Sequence, residues 1–384
     1  MTSRAKRWMG LWVAAAWLGT GCDQAEPAPE PEPEPYDWRL PKGFPKPRVP
    51  ADNPMTEAKV ELGRRLFYDK RLSLNGSQSC ASCHEQALAF TDGKAHAQGS
   101  TGELHRRNAQ GLANIAYTTS FTWANPSIPS LELQALTPLF GREPVELGFA
   151  DRQEELLARL REDADLVARF AKAFPEEAEP VSLATLTRAL ASFERALISG
   201  NSPYDRYVYG GEADALSPSA KRGMELFMSE RLECNHCHSG FNFQDATASE
   251  LTVTPIQPFH NTGLYNEDGN GAYPATDTGV LELTGNPEDM GRFKAPSLRN
   301  VAVTAPYMHD GSIATLSEVL DHYAAGGKAR MTQQASPISP LRSGFVRGFT
   351  LTAQEREDVI AFMEALTDTE FLSDPRFSDP FVSH

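Results

Sequence analysis

The sequence predicts a mainly α chain built from two cytochrome c-like modules packed together, with long loops and few short strands. Three observations predict it. The pattern C-x-x-C-H occurs twice, as Cys80-Ala81-Ser82-Cys83-His84 and as Cys234-Asn235-His236-Cys237-His238. The stretch leading into each copy also repeats. Gly63-x-x-Leu66-Phe67 followed by Arg71-Leu72 is matched at identical offsets by Gly223-x-x-Leu226-Phe227 followed by Arg231-Leu232, and such internal repetition marks duplicated structural units. Elsewhere apolar residues recur mostly with helical period, and strand patterns are scarce.

The doubled motif carries chemistry. Two thiols three positions apart can each add to a vinyl group of one porphyrin, and the histidine that follows lies under the iron. A four-cysteine zinc site leaves both histidines unexplained. A pair of disulfides leaves the matched spacing unexplained. The motifs therefore read as two covalent c-type haem sites, with Cys80, Cys83, Cys234 and Cys237 as attachment points and His84 and His238 as proximal ligands.

Taken in order, the 384 residues open with an export signal. Arg4, Lys6 and Arg7 form a positive start, and Trp8 to Leu18 form an apolar run too short to span a bilayer comfortably. Gly19, Thr20 and Gly21 then precede Cys22. This resembles a bacterial lipoprotein signal, 1–22, in which Cys22 becomes the lipidated first residue. It departs from that pattern because Leu18 stands four residues before the cysteine rather than three. Work outside the cytoplasm follows, on the periplasmic side of a bacterial envelope, with membrane contact only through the anchor. A Glu/Pro-rich linker, 23–37, cannot build a core. At ~3.1 Å per residue of extended polyproline its Glu/Pro stretch, 23–35, spans roughly 40 Å.

The first module is expected over 38–200 and the second over 201–384. Thr56 caps a helix through Phe67. Residues 151–174 place Leu156, Leu157, Leu160, Val167, Phe170 and Phe174 on one face of roughly helical period. Residues 182–199 do the same behind an N-cap at Ser182. Ser217 caps the helix that feeds the second motif, with Pro218 in its first position. Residues 240–300 are rich in Gly, Asn, Asp and Pro and read as loops. Capping boxes at Thr315-x-x-Glu318 and Thr352-x-x-Glu355 start the last two helices. Tyr323 falls on the inward stripe of the first of them.

Net charge is −15. That argues against nucleic acid and suits a basic patch on a protein partner. Spacing leaves the second ligand of each iron open. An iron with two strong protein ligands passes electrons, whereas one with an open side binds small molecules. Candidates for the second position are His96, His105, His260, His309, His322, Met308, Met331 and Tyr323.

At this point several stretches together resemble the bacterial di-haem cytochrome c peroxidase and MauG superfamily, and within it the MbnH-like branch. They are FPKPRVPADNPMTEAKVELGRRLFYD, SCASCHEQALAFTDG, LELQALTPLFGREPVELG, FHNTGLYN and APSLRNVAVTAPYMHDGSIATLSEVLDHYAAGG. The resemblance covers nearly the whole chain after the linker. It implies that the module of His84 holds the peroxidatic haem, with Gln134, Pro138 and Glu146 in its distal pocket. A carboxylate there can move a proton while the O–O bond breaks. The resemblance also implies that Trp123 lies between the haems and carries charge. Asn108 would hold calcium together with the backbone carbonyls of Thr304 and Pro306, an oxygen-only set that suits this ion.

Two departures stand out. Conventional peroxidases of the superfamily place a methionine fourteen residues after the position of His309, where this chain has Tyr323. A tyrosinate favours ferric and higher iron over ferrous. They also often carry a distal histidine eight residues before the asparagine, where this chain has Ser100. Both departures are MauG-like. They imply a peroxidase that uses hydrogen peroxide to reach a high-valent di-haem state and then oxidises an aromatic residue, tryptophan, of an MbnP-like exported partner. The alternatives are peroxide reduction with electrons from a small redox protein, and a di-haem electron carrier without catalysis.

Overall fold

The computed structural model describes residues 36–327 and 338–382. The expected signal, Cys22, nearly all of the linker and Met331 lie outside the described residues. Eleven α-helices occur among the described residues: α1 (Glu57–Tyr68), α2 (Leu131–Gln134), α3 (Leu136–Phe140), α4 (Gln153–Arg161), α5 (Ala164–Ala173), α6 (Leu183–Ala196), α7 (Pro203–Asp205), α8 (Pro218–Phe227), α9 (Leu281–Thr284), α10 (Leu316–Ala324) and α11 (Ala353–Glu364). Among the described residues strand-like pairing is confined to isolated bridges, such as Thr118 with Thr247 and His260 with Phe293. The mainly α class holds.

Local chemistry explains the helix starts. The side chains of Thr56, Ser182, Ser217, Thr315 and Thr352 each accept a hydrogen bond from the backbone N–H three residues on. Each satisfies a donor that the first turn leaves unpaired. The apolar face expected over 151–174 is carried by two helices. Residues 162 and 163 interrupt it, because Asp163 turns out of helical geometry and caps α5 through Leu166 N. Residues 240–300 are loops, relieved by the single turn of α9 and a 3-10 turn at Pro287–Asp289.

The repeated glycine marks where helices cross. A Cβ on Gly63 of α1 would collide with the Ala189 carbonyl of α6. A Cβ on Gly223 of α8 would collide with the Asp358 carbonyl of α11. The repeated phenylalanine fills the same crossings. The Phe67 ring centroid is 5.2 Å from that of Phe193 on α6, and Phe227 is 5.3 Å from Phe362 on α11. Asp358, itself buried, accepts from Arg222 at 2.7 and 2.8 Å and from Ser219 at 2.6 Å, locking α8 to α11. Gly223→Ala should lower stability by about 3 kcal/mol, the upper end of overpacking costs. Thermal unfolding of the haem-loaded protein checks this, and an unchanged Tm would show that the crossing is loose.

Two cores follow. Leu62, Leu66, Phe67, Phe90, Phe149, Phe170, Phe174 and Phe193 form one, and the late residues Phe371 and Phe377 pack into it. Phe227, Phe243, Phe362 and Leu366 centre the other. A third cluster, with Trp123, Tyr273 and Phe293, is built from loop residues.

Candidate haem sites

Each C-x-x-C-H wraps a single 3-10 turn, at Cys80–Ser82 and at Cys234–His236. The N–H of His84 donates to Cys80 O at 3.0 Å, and that of His238 to Cys234 O at 3.0 Å. The turn thus gathers two sulfurs and one imidazole. None of the four cysteines forms a disulfide.

The two imidazoles are oriented alike. His84 Nδ1 lies 2.7 Å from Phe90 O, and His238 Nδ1 lies 3.2 Å from Phe243 O. A carbonyl cannot donate, so Nδ1 carries the proton and Nε2 keeps its lone pair for a metal. Burial holds both imidazoles neutral by lowering their pKa. Phe90 and Phe243 adopt left-handed backbone, with φ of 64° and 48°. For a bulky residue this is strained by about 1–3 kcal/mol. The strain aims each carbonyl at its histidine. Sequence reading missed both residues, and the only signal was a phenylalanine five or six positions after each motif.

His238 opens onto a large, mostly apolar cavity that also receives Trp123, Tyr323, Leu320, Val359 and Met363. The hydroxyl of Tyr323 has no hydrogen-bond partner among the described residues. Burial raises its pKa, and the nearby Cys237 and Cys234 sulfurs add to this. A phenol in this place would lose its proton only where a strong cation, such as a ferric ion, takes its oxygen as a ligand. The other candidates are engaged elsewhere or displaced. His322 bonds Thr262 O at 3.0 Å, His260 bonds Asp245 at 2.5 Å, and His309 stacks on Phe293 at 3.7 Å. His96 is exposed, while Met308 lines the cavity and packs against the Trp123 cluster.

The residues expected beside His84 form a second group. Glu132 on α2 is clamped by Arg195 of α6 at 2.7 and 2.8 Å and by Asn53 at 2.8 Å, and this fixes the helix that carries Gln134. Pro138 lies four residues on, and its carbonyl accepts from Leu147 N at 2.9 Å. Ser100 N donates to Glu146 O at 2.7 Å. The peptide unit that follows Glu146 is therefore held at both its carbonyl and its N–H. Its carboxylate lies 3.8 Å from His105 Nε2. A third of the side chain is open, yet burial alone pushes the carboxyl up to about 7. Its charge reaches the Cys80 and Cys83 thiols, whose pKa values are raised first by burial and then by carboxylates including Glu146. Glu146 therefore stands close to the first motif.

Trp123 is buried, and its Nε1 donates to Asn108 O at 2.8 Å. Two residues further on, the Gln110 backbone lies against the His84 imidazole. One short segment thus runs from Trp123 to the first motif, while Trp123 itself lines the cavity of the second. Asn108 Nδ2 donates to Lys94 O at 2.7 Å, and Oδ1 accepts no bond among the described residues. Thr304 and Pro306 line the same cavity as Asn108. These neutral oxygens are hard donors, so the set fits calcium if water completes it.

Residues 57–213 match the di-haem cytochrome c peroxidase family. The chain is 38% identical over 352 residues to a cytochrome-c peroxidase of Denitromonas iodatirespirans, covering 87% of this chain and 88% of the relative. It is 34% identical over 331 residues to the methylamine utilization protein MauG of Methylorubrum extorquens, covering 86% and 83%. A solved MauG-like protein associated with microbial copper homeostasis aligns with a TM-score of 0.87 at 50% identity, covering 90% of this chain and 100% of that one.

Proposed function

The chain belongs to the di-haem cytochrome c peroxidase and MauG family, and from that premise we propose that it uses hydrogen peroxide to oxidise a tryptophan of a partner protein. The family makes it an oxidoreductase acting on peroxide, with two c-type haems. Tyr323 carries the finer reading. It lines the cavity of His238 with a hydroxyl that has no hydrogen-bond partner among the described residues, at the position where conventional relatives place methionine. The haems would supply the two-electron chemistry that turns hydrogen peroxide and two protons into two waters.

The residues divide the remaining tasks. Glu146 takes a proton from one peroxide oxygen and delivers it to the other. Gln134 and Pro138 shape the space beside it, and Ser100 leaves that space open. Trp123 passes charge between the two sites. Tyr323, as an anionic oxygen donor, favours the oxidised state of the second site. Asn108, Thr304 and Pro306 hold calcium next to Trp123. The modules span 38–200 and 201–384. The protein works on the periplasmic side of the envelope, tethered through Cys22. The partner is an MbnP-like exported protein. The similarity to a MauG-like protein tied to copper homeostasis supports that choice.

The test is stoichiometric hydrogen peroxide added to the ferric protein, followed by optical spectroscopy. A long-lived oxidised spectrum involving both haems is expected. The 38% identity to a cytochrome-c peroxidase favours a second reading, peroxide reduction fed by a small electron-donor protein. Fast turnover with reduced cytochrome c and no persistent oxidised state would select it.

A further inference from the structure

We propose that Lys294 is the seat for a propionate of the haem attached at Cys234 and Cys237, and that its charge sets the potential of that haem. Lys294 follows Phe293, whose backbone bridges to His260. The Phe293 ring stacks on His309 at 3.7 Å at the edge of the cavity of His238. Lys294 lines the cavity of His238 and Tyr323 and is only 4% exposed.

Its ammonium has neither a hydrogen bond nor a carboxylate partner among the described residues. Neighbouring cations are already paired. Arg299 holds Asp205 at 2.5 Å and the Phe241 carbonyl, and Arg107 holds Asp277 at 2.6 and 2.9 Å. A buried, unpaired ammonium is costly and calls for an anion. Burial pushes the amine down to about 7 without one. The occupant of this cavity brings anions of its own, because a c-type porphyrin carries two propionates. The carboxylate in the cavity lining, Glu233, is engaged by His236 at 2.8 Å and Arg347 at 3.8 Å, so a propionate would be the counter-charge for Lys294.

The placement has a second consequence. Lys294 N donates to Trp123 O at 2.8 Å, so the residue that anchors the propionate also holds the backbone of the bridging tryptophan. The inference rests on the family's two haems and on nothing about the partner protein.

The test uses the matured, haem-loaded full chain. Haem content is measured first, then each haem is titrated by optical spectroelectrochemistry. In Lys294→Gln the haem of His238 should become harder to reduce. At the parent midpoint potential its ratio of reduced to oxidised form should fall about tenfold, equivalent to about 59 mV for a one-electron couple. The haem of His84 should move less. Lys294→Arg should keep the parent value, and resonance Raman propionate modes should shift in the Gln variant for one haem only. Unchanged potentials in the Gln variant, or equal shifts of both haems, overturn the proposal. If Lys294→Gln fails to mature, the Arg variant decides: a parent potential supports the charge, and a lost or displaced one overturns it. Loss of one haem per chain from the parent protein would instead strike at the attachment reading.

Discussion

Tyr323→Phe is expected to change the optical and magnetic spectrum of one haem only and to abolish the long-lived oxidised state. The substitution removes a single oxygen and keeps the ring that packs inside the cavity, so both haems should stay attached. The change is large because that oxygen has no other task, having no hydrogen-bond partner among the described residues. The neighbours cannot step in. His322, one residue before, is bonded to Thr262 O at 3.0 Å, and His260 is held by Asp245 at 2.5 Å. The vacated position would fall to water or a weak ligand, and the haem of His238 would turn high-spin. Tyr323→Met should instead give a low-spin haem that is easier to reduce, because a thioether favours the softer ferrous ion. A parent spectrum in Tyr323→Phe would remove Tyr323 from the iron.

The caps at Thr56, Ser182, Ser217, Thr315 and Thr352 were legible because each involves residues three apart in the chain. The attachment motifs were legible for the same reason. What the sequence left dark depends on distant contacts. Phe90 and Phe243 adopt left-handed backbone because the surrounding core over-determines them. No local preference would place a phenylalanine there. Phe371 and Phe377 pack into a core whose other members come from residues 55–197, and nothing in their local pattern says so. The interruption of 151–174 was missed because the apolar stripe continues across Asp163. Among the site residues, Tyr323 could be placed on an inward face by period alone. Glu146 could be singled out only through resemblance, because its raised pKa arises from packing around a loop. Lys294 looked like any lysine until its burial and lack of a partner were visible.

Glu146→Gln should slow peroxide consumption by about 10²–10⁴-fold, the usual range for losing a positioned acid–base group. Glutamine has nearly the same shape, so the backbone bonds from Ser100 to Glu146 O and from Leu147 to Pro138 O should survive, and both haems should remain attached. The pH profile separates this role from a structural one. Burial raises the carboxyl from 4.5 to about 7. The proton-accepting form is therefore scarce below that pH and dominant above it, so the rate should climb as pH rises through about 7 and level off beyond. The nearest competitor is His105, with Nε2 3.8 Å away. Burial lowers its pKa below 6.5, so its own inflection would fall at lower pH. His105→Gln should keep the rise near 7, and Glu146→Gln should lose it. If the rise persists without the carboxylate, the proton is handled elsewhere and Glu146 serves only to shape the pocket.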